Sequence, residues 1–150
     1  MLLPELRQEV LEANLRLVSE SLVRLTWGNV SGIDRDAGLF VIKPSGVAYD
    51  DLRVEHLVVV DLEDGTVAEG DLRPSSDTPT HRELYLGFGG IGGITHTHSV
   101  FATSFSQAGI ELPCLGTTHA DHFFGTVPMV RELTPAEVSN GYEMHTGRVI

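Results

Sequence analysis

The sequence predicts a single layered α/β domain, a central antiparallel or mixed sheet with helices packed on its faces. Three observations predict it. The chain has 150 residues, which suits one hydrophobic core and leaves no room for a second domain. Its apolar residues change period along the chain, from helical spacing at the start to short β-like runs and then to alternating helix and strand signals. Asp-, Gly- and Pro-rich turns separate the β-like runs at hairpin spacing.

Each element follows from local residues. Residues 4–22 read as a helix, with Pro4 suited to its first turn and no Gly or Pro afterwards. Its apolar residues form two stripes, Leu6, Val10, Ala13 and Leu17 on one side and Leu11, Leu15, Val18 and Leu22 on the other. At 100° per residue the stripes lie roughly 140° apart. The helix is therefore either fully covered, or packed by one stripe on its own sheet and by the other on a second element or a neighbouring subunit. Val23–Trp27, Leu39–Lys43 and Leu57–Leu62 read as strands. Asp64-Gly65, between Val58-Val59-Val60 and Thr66-Val67, is the strongest hairpin signal. Thr78-Pro79 opens a short helix through about Phe88, Gly92–Thr97 reads as a buried strand, and Ser99–Ala108 as a helix. Thr134-Pro135-Ala136-Glu137 has capping-box spacing with Pro at the first helical position, so a late helix starts there. Arg148-Val149-Ile150 reads as the opening of a further strand.

Charge and composition exclude several classes of function. Ten Lys+Arg against 21 Asp+Glu give a formal charge of −11, a surface field that repels nucleic acid and anionic membranes. No apolar run approaches the roughly 18 residues of a bilayer span. Glu5, Arg7, Glu9, Glu12 and Arg16 interrupt the first 17 residues and deny them a secretory apolar core. The single Cys114 excludes an internal disulfide and fits a reducing compartment. A soluble cytoplasmic protein is expected.

Five of the seven His residues fall between positions 81 and 122. In a strand, His96 and His98 share one face, and two imidazoles there can grip one metal ion. An isolated His-x-His is more often two ordinary polar residues. Here the pair sits at the carboxyl end of a strand, where α/β sites are commonly found. In Arg73-Pro74-Ser75-Ser76-Asp77-Thr78 two hydroxyls precede a helix N-terminus, a plausible anion cradle, although by itself the segment reads first as a helix cap formed by Asp77 or Thr78. Lys43-Pro44-Ser45-Gly46 pairs a cation with a glycine that permits close backbone approach. Asn29 supplies an amide on a glycine-flanked bend. Asp121 lies among His119, His122 and Phe123-Phe124, where apolar rings can favour acid–base work; a surface helix end is the plainer reading.

Taken together, Leu25-Thr26-Trp27-Gly28-Asn29-Val30-Ser31, Val41-Ile42-Lys43-Pro44-Ser45-Gly46-Val47, Pro74-Ser75-Ser76-Asp77-Thr78-Pro79-Thr80-His81, Gly92-Gly93-Ile94-Thr95-His96-Thr97-His98-Ser99 and Gly116-Thr117-Thr118-His119-Ala120-Asp121 resemble the class II aldolase/epimerase family. Within it they resemble the L-ribulose-5-phosphate 4-epimerases. The resemblance runs in order along essentially the whole chain. It implies that Asp77, His96 and His98 belong to a metal site holding one zinc or similar divalent ion per subunit. It implies that Asn29, Lys43, Ser45, Gly46, Ser75 and Ser76 hold the substrate phosphate, that Asp121 is a catalytic acid/base and that Glu143 is another active-site position. Aldolase relatives usually have Glu where this chain has Asp77, which favours epimerisation of L-ribulose 5-phosphate to D-xylulose 5-phosphate by cleavage and re-formation of C3–C4. The alternatives are an aldolase acting on a sugar phosphate such as L-fuculose 1-phosphate, or a shortened, non-catalytic family member. By resemblance the protein is a homotetramer with its active site at the subunit interface. A third His ligand and a partner-subunit Tyr are expected beyond residue 150, which makes residues 1–150 one C-terminally incomplete domain, unless His119, His122 or His145 takes the ligand's place.

Overall fold

A computed structural model describes residues 1–150. Five strands, β1 (Asn29–Asp34), β2 (Leu39–Ile42), β3 (Val58–Asp61), β4 (Val67–Glu69) and β5 (Gly93–His96), form one sheet in the order β4-β3-β2-β1-β5. Every neighbouring pair is antiparallel. Six helices accompany it: α1 (Pro4–Ser19), α2 (Thr78–Gly87), α3 (Val100–Gln107), α4 (Thr117–Ala120), α5 (Pro135–Ser139) and α6 (Tyr142–Val149). The expected α/β architecture is what the chain adopts, with the sheet antiparallel throughout.

The sheet is covered on both sides, which explains why its central strands are apolar without interruption. Val41 and Val59 join Val10, Tyr49, Leu52 and Leu57 on the α1 side. Phe40, Ile42, Val58 and Val60 join Ile33 and Tyr85 on the α2 side. Successive residues of one strand thus supply opposite cores. α1 lies so close to β1 that a Cβ on Gly32 would stand 2.8 Å from Leu6 Cδ1. Arg7 is buried beneath this helix and donates to Leu2 O (3.0 Å), Leu57 O (2.6 Å) and Glu69 Oε1 (2.7 Å).

Several local expectations hold. The Asp64-Gly65 turn joins β3 to β4, with Gly65 at φ 78°. Thr134 and Glu137 form both hydrogen bonds of the capping box at α5. α2 and α3 lie where the sequence placed them.

Others are corrected. α1 ends at Ser19 because Ser21 turns into the left-handed region at φ 57°. Its first stripe meets the sheet, but Leu15, Val18 and Leu22 are exposed, so within this chain the helix is not fully covered. Val23–Trp27 is a turn, with Leu25 at φ 54°, and the strand begins at Asn29. β5 is not buried: it is an edge strand with alternating exposed and half-buried residues. Residues 148–149 close α6 and do not open a strand, because Gly147 packs on α2 and Arg148 Nε reaches Glu83 Oε2 at 2.9 Å. No helix is long and apolar enough to cross a membrane.

Candidate active site

β1, β5 and the N-terminus of α2 meet at one end of the sheet, around a cavity of about 690 Å³. Asn29 opens β1 and pairs in register with His96, the last residue of β5. That register needs Gly28, which adopts φ 95° and whose Cβ, if present, would lie 2.7 Å from His96 O. Tyr49 Oη donates to Gly28 O at 2.8 Å and pins the bend from beneath.

Asp77 occupies the N-cap position of α2 but does not cap it. Its Oδ2 instead accepts from Asn29 Nδ2 at 2.7 Å and lies 3.0 Å from His96 Nδ1. Ser75 takes over the turn: its Oγ accepts from Asp77 N, and its carbonyl accepts from Thr78 N and Thr78 Oγ1. The helix-cap reading of Asp77 is therefore corrected, because the carboxylate faces the site. The hydrogen bond with His96 holds the Asp77 carboxyl below its ordinary range and raises His96 above the usual imidazole value. One hydrogen bond thus couples the carboxylate to the imidazole.

The His96 and His98 rings stack with centroids 4.8 Å apart and 26° between planes, and Trp27 stands 5.9 Å from His98. Two imidazoles and a carboxylate suit a zinc-like cation in kind. Asp77 Oδ2 occupies His96 Nδ1 and leaves Nε2 as the ring nitrogen free to take a ligand. No group of three His, Cys, Asp or Glu side chains surrounds a common point, so the set is open and not a finished metal cage. His119, His122 and His145 are not in the cavity wall. Their ring nitrogens face Gly125 O, Thr118 O and Glu137, respectively.

The two loops singled out as anion cradles lie side by side. Ser45 N donates to Arg73 O and Ser75 N to Lys43 O, with Pro44 and Pro74 bridged antiparallel. Ser45, Gly46, Ser75 and Ser76 line the cavity. Lys43 also reaches it, but its Nζ donates to Val47 O at 2.7 Å and sits 4.9 Å over the Tyr49 ring. Burial lowers the Lys43 ammonium below its usual value. Its hydrogen bonds go to its own loop.

Glu143 lines the cavity from α6, together with Tyr142 and Thr146. α6 is held there by Thr80 Oγ1, which donates to Glu143 O at 2.6 Å. Asp121 is not brought to this site: it is exposed at the end of α4, outside the wall, with Phe123 and Phe124 facing solvent. Sequence reasoning missed the wall residues Tyr142 and Thr146, whose helix gave no signal. It also missed His81, although its spacing of four from Asp77 on a helix was readable.

Residues 8–146 match the model of the family described as "Class II Aldolase and Adducin N-terminal domain". An L-fuculose 1-phosphate aldolase structure is 27% identical with a TM-score of 0.81, covering 96% of this chain and 68% of its own. YgbL from Klebsiella pneumoniae is 31% identical with a TM-score of 0.61, over 68% of this chain and 48% of its own. The L-fuculose-1-phosphate aldolase of Thermus thermophilus is 29% identical with a TM-score of 0.64, over 78% and 56%. This chain thus spans between about half and two thirds of these proteins.

Proposed function

The chain belongs to the class II aldolase and adducin N-terminal domain family, and from that premise we propose that it breaks and re-forms a carbon–carbon bond of a keto-sugar phosphate, epimerising L-ribulose 5-phosphate to D-xylulose 5-phosphate. The observation that carries the proposal is the Asp77–His96 pair at the head of the cavity, flanked by the two zipped loops. Retro-aldol cleavage requires that the hydroxyl one carbon beyond the ketone's neighbour lose its proton. Asp77 is ionised, all its hydrogen bonds fall on Oδ2, and Oδ1 is left to accept that proton.

His96, His98 and Asp77 would hold a zinc-like divalent ion, which when bound supplies Lewis-acid polarisation of the substrate oxygens. The Ser45-Gly46 and Ser75-Ser76 loops and Asn29 receive the phosphate, and Lys43 shapes the first loop from behind. In a protein of charge −11 such local donors are what admit an anion. Glu143 faces the cavity as a second titratable group. Asp121, outside its own chain's cavity, acts as an acid/base only where subunits meet, in a cytoplasmic homotetramer.

A second reading, cleavage of L-fuculose 1-phosphate, is favoured by the names of the structurally similar aldolases. Incubating purified protein with each sugar phosphate, with and without zinc and with chelator, separates the two. Xylulose 5-phosphate formation without net aldehyde release is expected. Aldehyde release without epimerisation overturns the epimerase assignment, and activity indifferent to chelation overturns the metal.

A further inference from the structure

Beneath the Asp77–His96 pair lies a buried triad that the chemistry above does not use. Ser31 Oγ is 2.7 Å from His81 Nδ1 and 2.7 Å from Tyr85 Oη; all three residues are buried, and His81 alone of them also lines the cavity. The direction of these bonds follows from counting donors. If His81 carried its proton on Nδ1 and donated to Ser31, Ser31 would donate to Tyr85, and the buried Tyr85 hydroxyl would be left with no acceptor. With the order reversed, Tyr85 donates to Ser31, Ser31 donates to His81 Nδ1, and both buried hydroxyls are satisfied. The imidazole proton is then on Nε2.

That Nε2 has no protein partner. Asn29 Oδ1 is the one fully buried side-chain polar atom without one, so His81 Nε2 is not sealed in the core. It meets the cavity, whose wall His81 helps to form. His81 stands one turn beyond Asp77 on the same face of α2, and both line the cavity, so an N–H donor and the acceptor Oδ1 belong to one wall. A donor and an acceptor side by side are what reading a hydroxyl requires.

We propose that His81 is a specificity-determining residue whose Nε2–H, fixed in direction by Ser31 and Tyr85, donates to a sugar oxygen of the ligand beside Asp77. This rests on the sugar-phosphate reading of the cleft. One neutral hydrogen bond corresponds to a roughly fivefold to tenfold change in affinity.

The test compares wild type with His81→Asn, whose amide oxygen can keep the bond from Ser31 while losing the Nε2 donor, and with His81→Gln, whose amide reaches the Nε2 position. Calorimetric titration uses two probes, L-ribulose 5-phosphate and inorganic phosphate. His81→Asn is expected to bind the sugar phosphate about fivefold to tenfold more weakly and inorganic phosphate unchanged, with His81→Gln recovering part of the loss. Equal loss for both probes marks a structural role and overturns the proposal, as does no loss at all. Independently of any ligand, long-range nitrogen–proton NMR of His81 should show the Nε2–H tautomer; the Nδ1–H form overturns it. Wild type that binds neither probe sinks the sugar-phosphate reading, and this inference falls with it.

Discussion

Acid should unfold this protein through His81. Burial pushes that imidazole down from 6.5 to about 4, against the pull of the nearby Asp77 carboxylate. The unfolded chain therefore takes up a proton that the folded chain refuses between those two values. Because the unfolded state binds more protons there, stability rises with pH across the window and is lost as pH falls from 6.5 toward 4. At about 1.36 kcal/mol per unit the full loss is about 3 kcal/mol, and linkage gives about 2 kcal/mol of it between pH 7 and pH 5. For a domain of this size that is a fall in Tm of roughly 4–8 °C. His96 works oppositely: its value is raised by Asp77, so its contribution is full below 6.5 and fades as pH rises through its folded value. Urea unfolding of wild type and His81→Asn at pH 7 and pH 5 isolates the effect, since the other groups cancel in the double difference. Wild type should lose about 2 kcal/mol more than the variant. Equal losses would refute the claim that a neutral, buried imidazole sits beneath the site.

Three further outcomes follow from the geometry. Gly28→Ala puts a methyl group 2.7 Å from His96 O at a φ of 95°, so it should cost about 1–3 kcal/mol in chemical denaturation and displace His96; a variant as stable as wild type contradicts the packing described. Asp77→Asn removes the charged partner that raises His96, and an NMR titration should show the His96 imidazole moving down toward its ordinary value, whereas an unchanged midpoint means the pair does not form. Arg7→Met strips Leu57 O and Leu2 O of a buried donor and should lower stability by about 2–4 kcal/mol in urea titration, with loss below about 1 kcal/mol counting against the network.

The legible parts of the fold were those decided locally. Phe40-Val41-Ile42 and Val58-Val59-Val60 announce strands because both sheet faces are covered, and Asp64-Gly65 announces its turn because one glycine at φ 78° suffices. Tertiary contact decided the rest. Val23–Trp27 has the better β composition, yet Asn29–Asp34 takes the strand because Gly32 lets α1 close against it. Gly147 reads as a helix breaker but sits inside α6, since a side chain there would strike Thr80 O at 2.7 Å. The candidate site divides the same way. His96, His98 and Asp77 were readable from spacing and motif. The engagement of Lys43 with Val47 O and the bonding of Ser31 to His81 and Tyr85 depend on pairs 4, 50 and 54 residues apart, the last two beyond the reach of any local pattern.

How the charges are arranged says what the cleft asks of its ligand. Lys43, the one buried lysine at the cavity, has its ammonium directed to a loop carbonyl and an aromatic face, and His96 shares a hydrogen bond with Asp77. Lys43 is thus a cation of the wall whose hydrogen-bond partners are carbonyls and which has no carboxylate beside it. An anionic group entering there meets serine hydroxyls and a lysine committed to its own loop, which orient it well but neutralise little. A dianionic ligand inside a chain of charge −11 needs more than that. The proposed divalent cation would supply the countercharge that these donors lack. On this argument phosphate affinity rises with zinc and sugar selectivity does not, because selectivity is set by the fixed hydrogen bonds of Asp77 and His81.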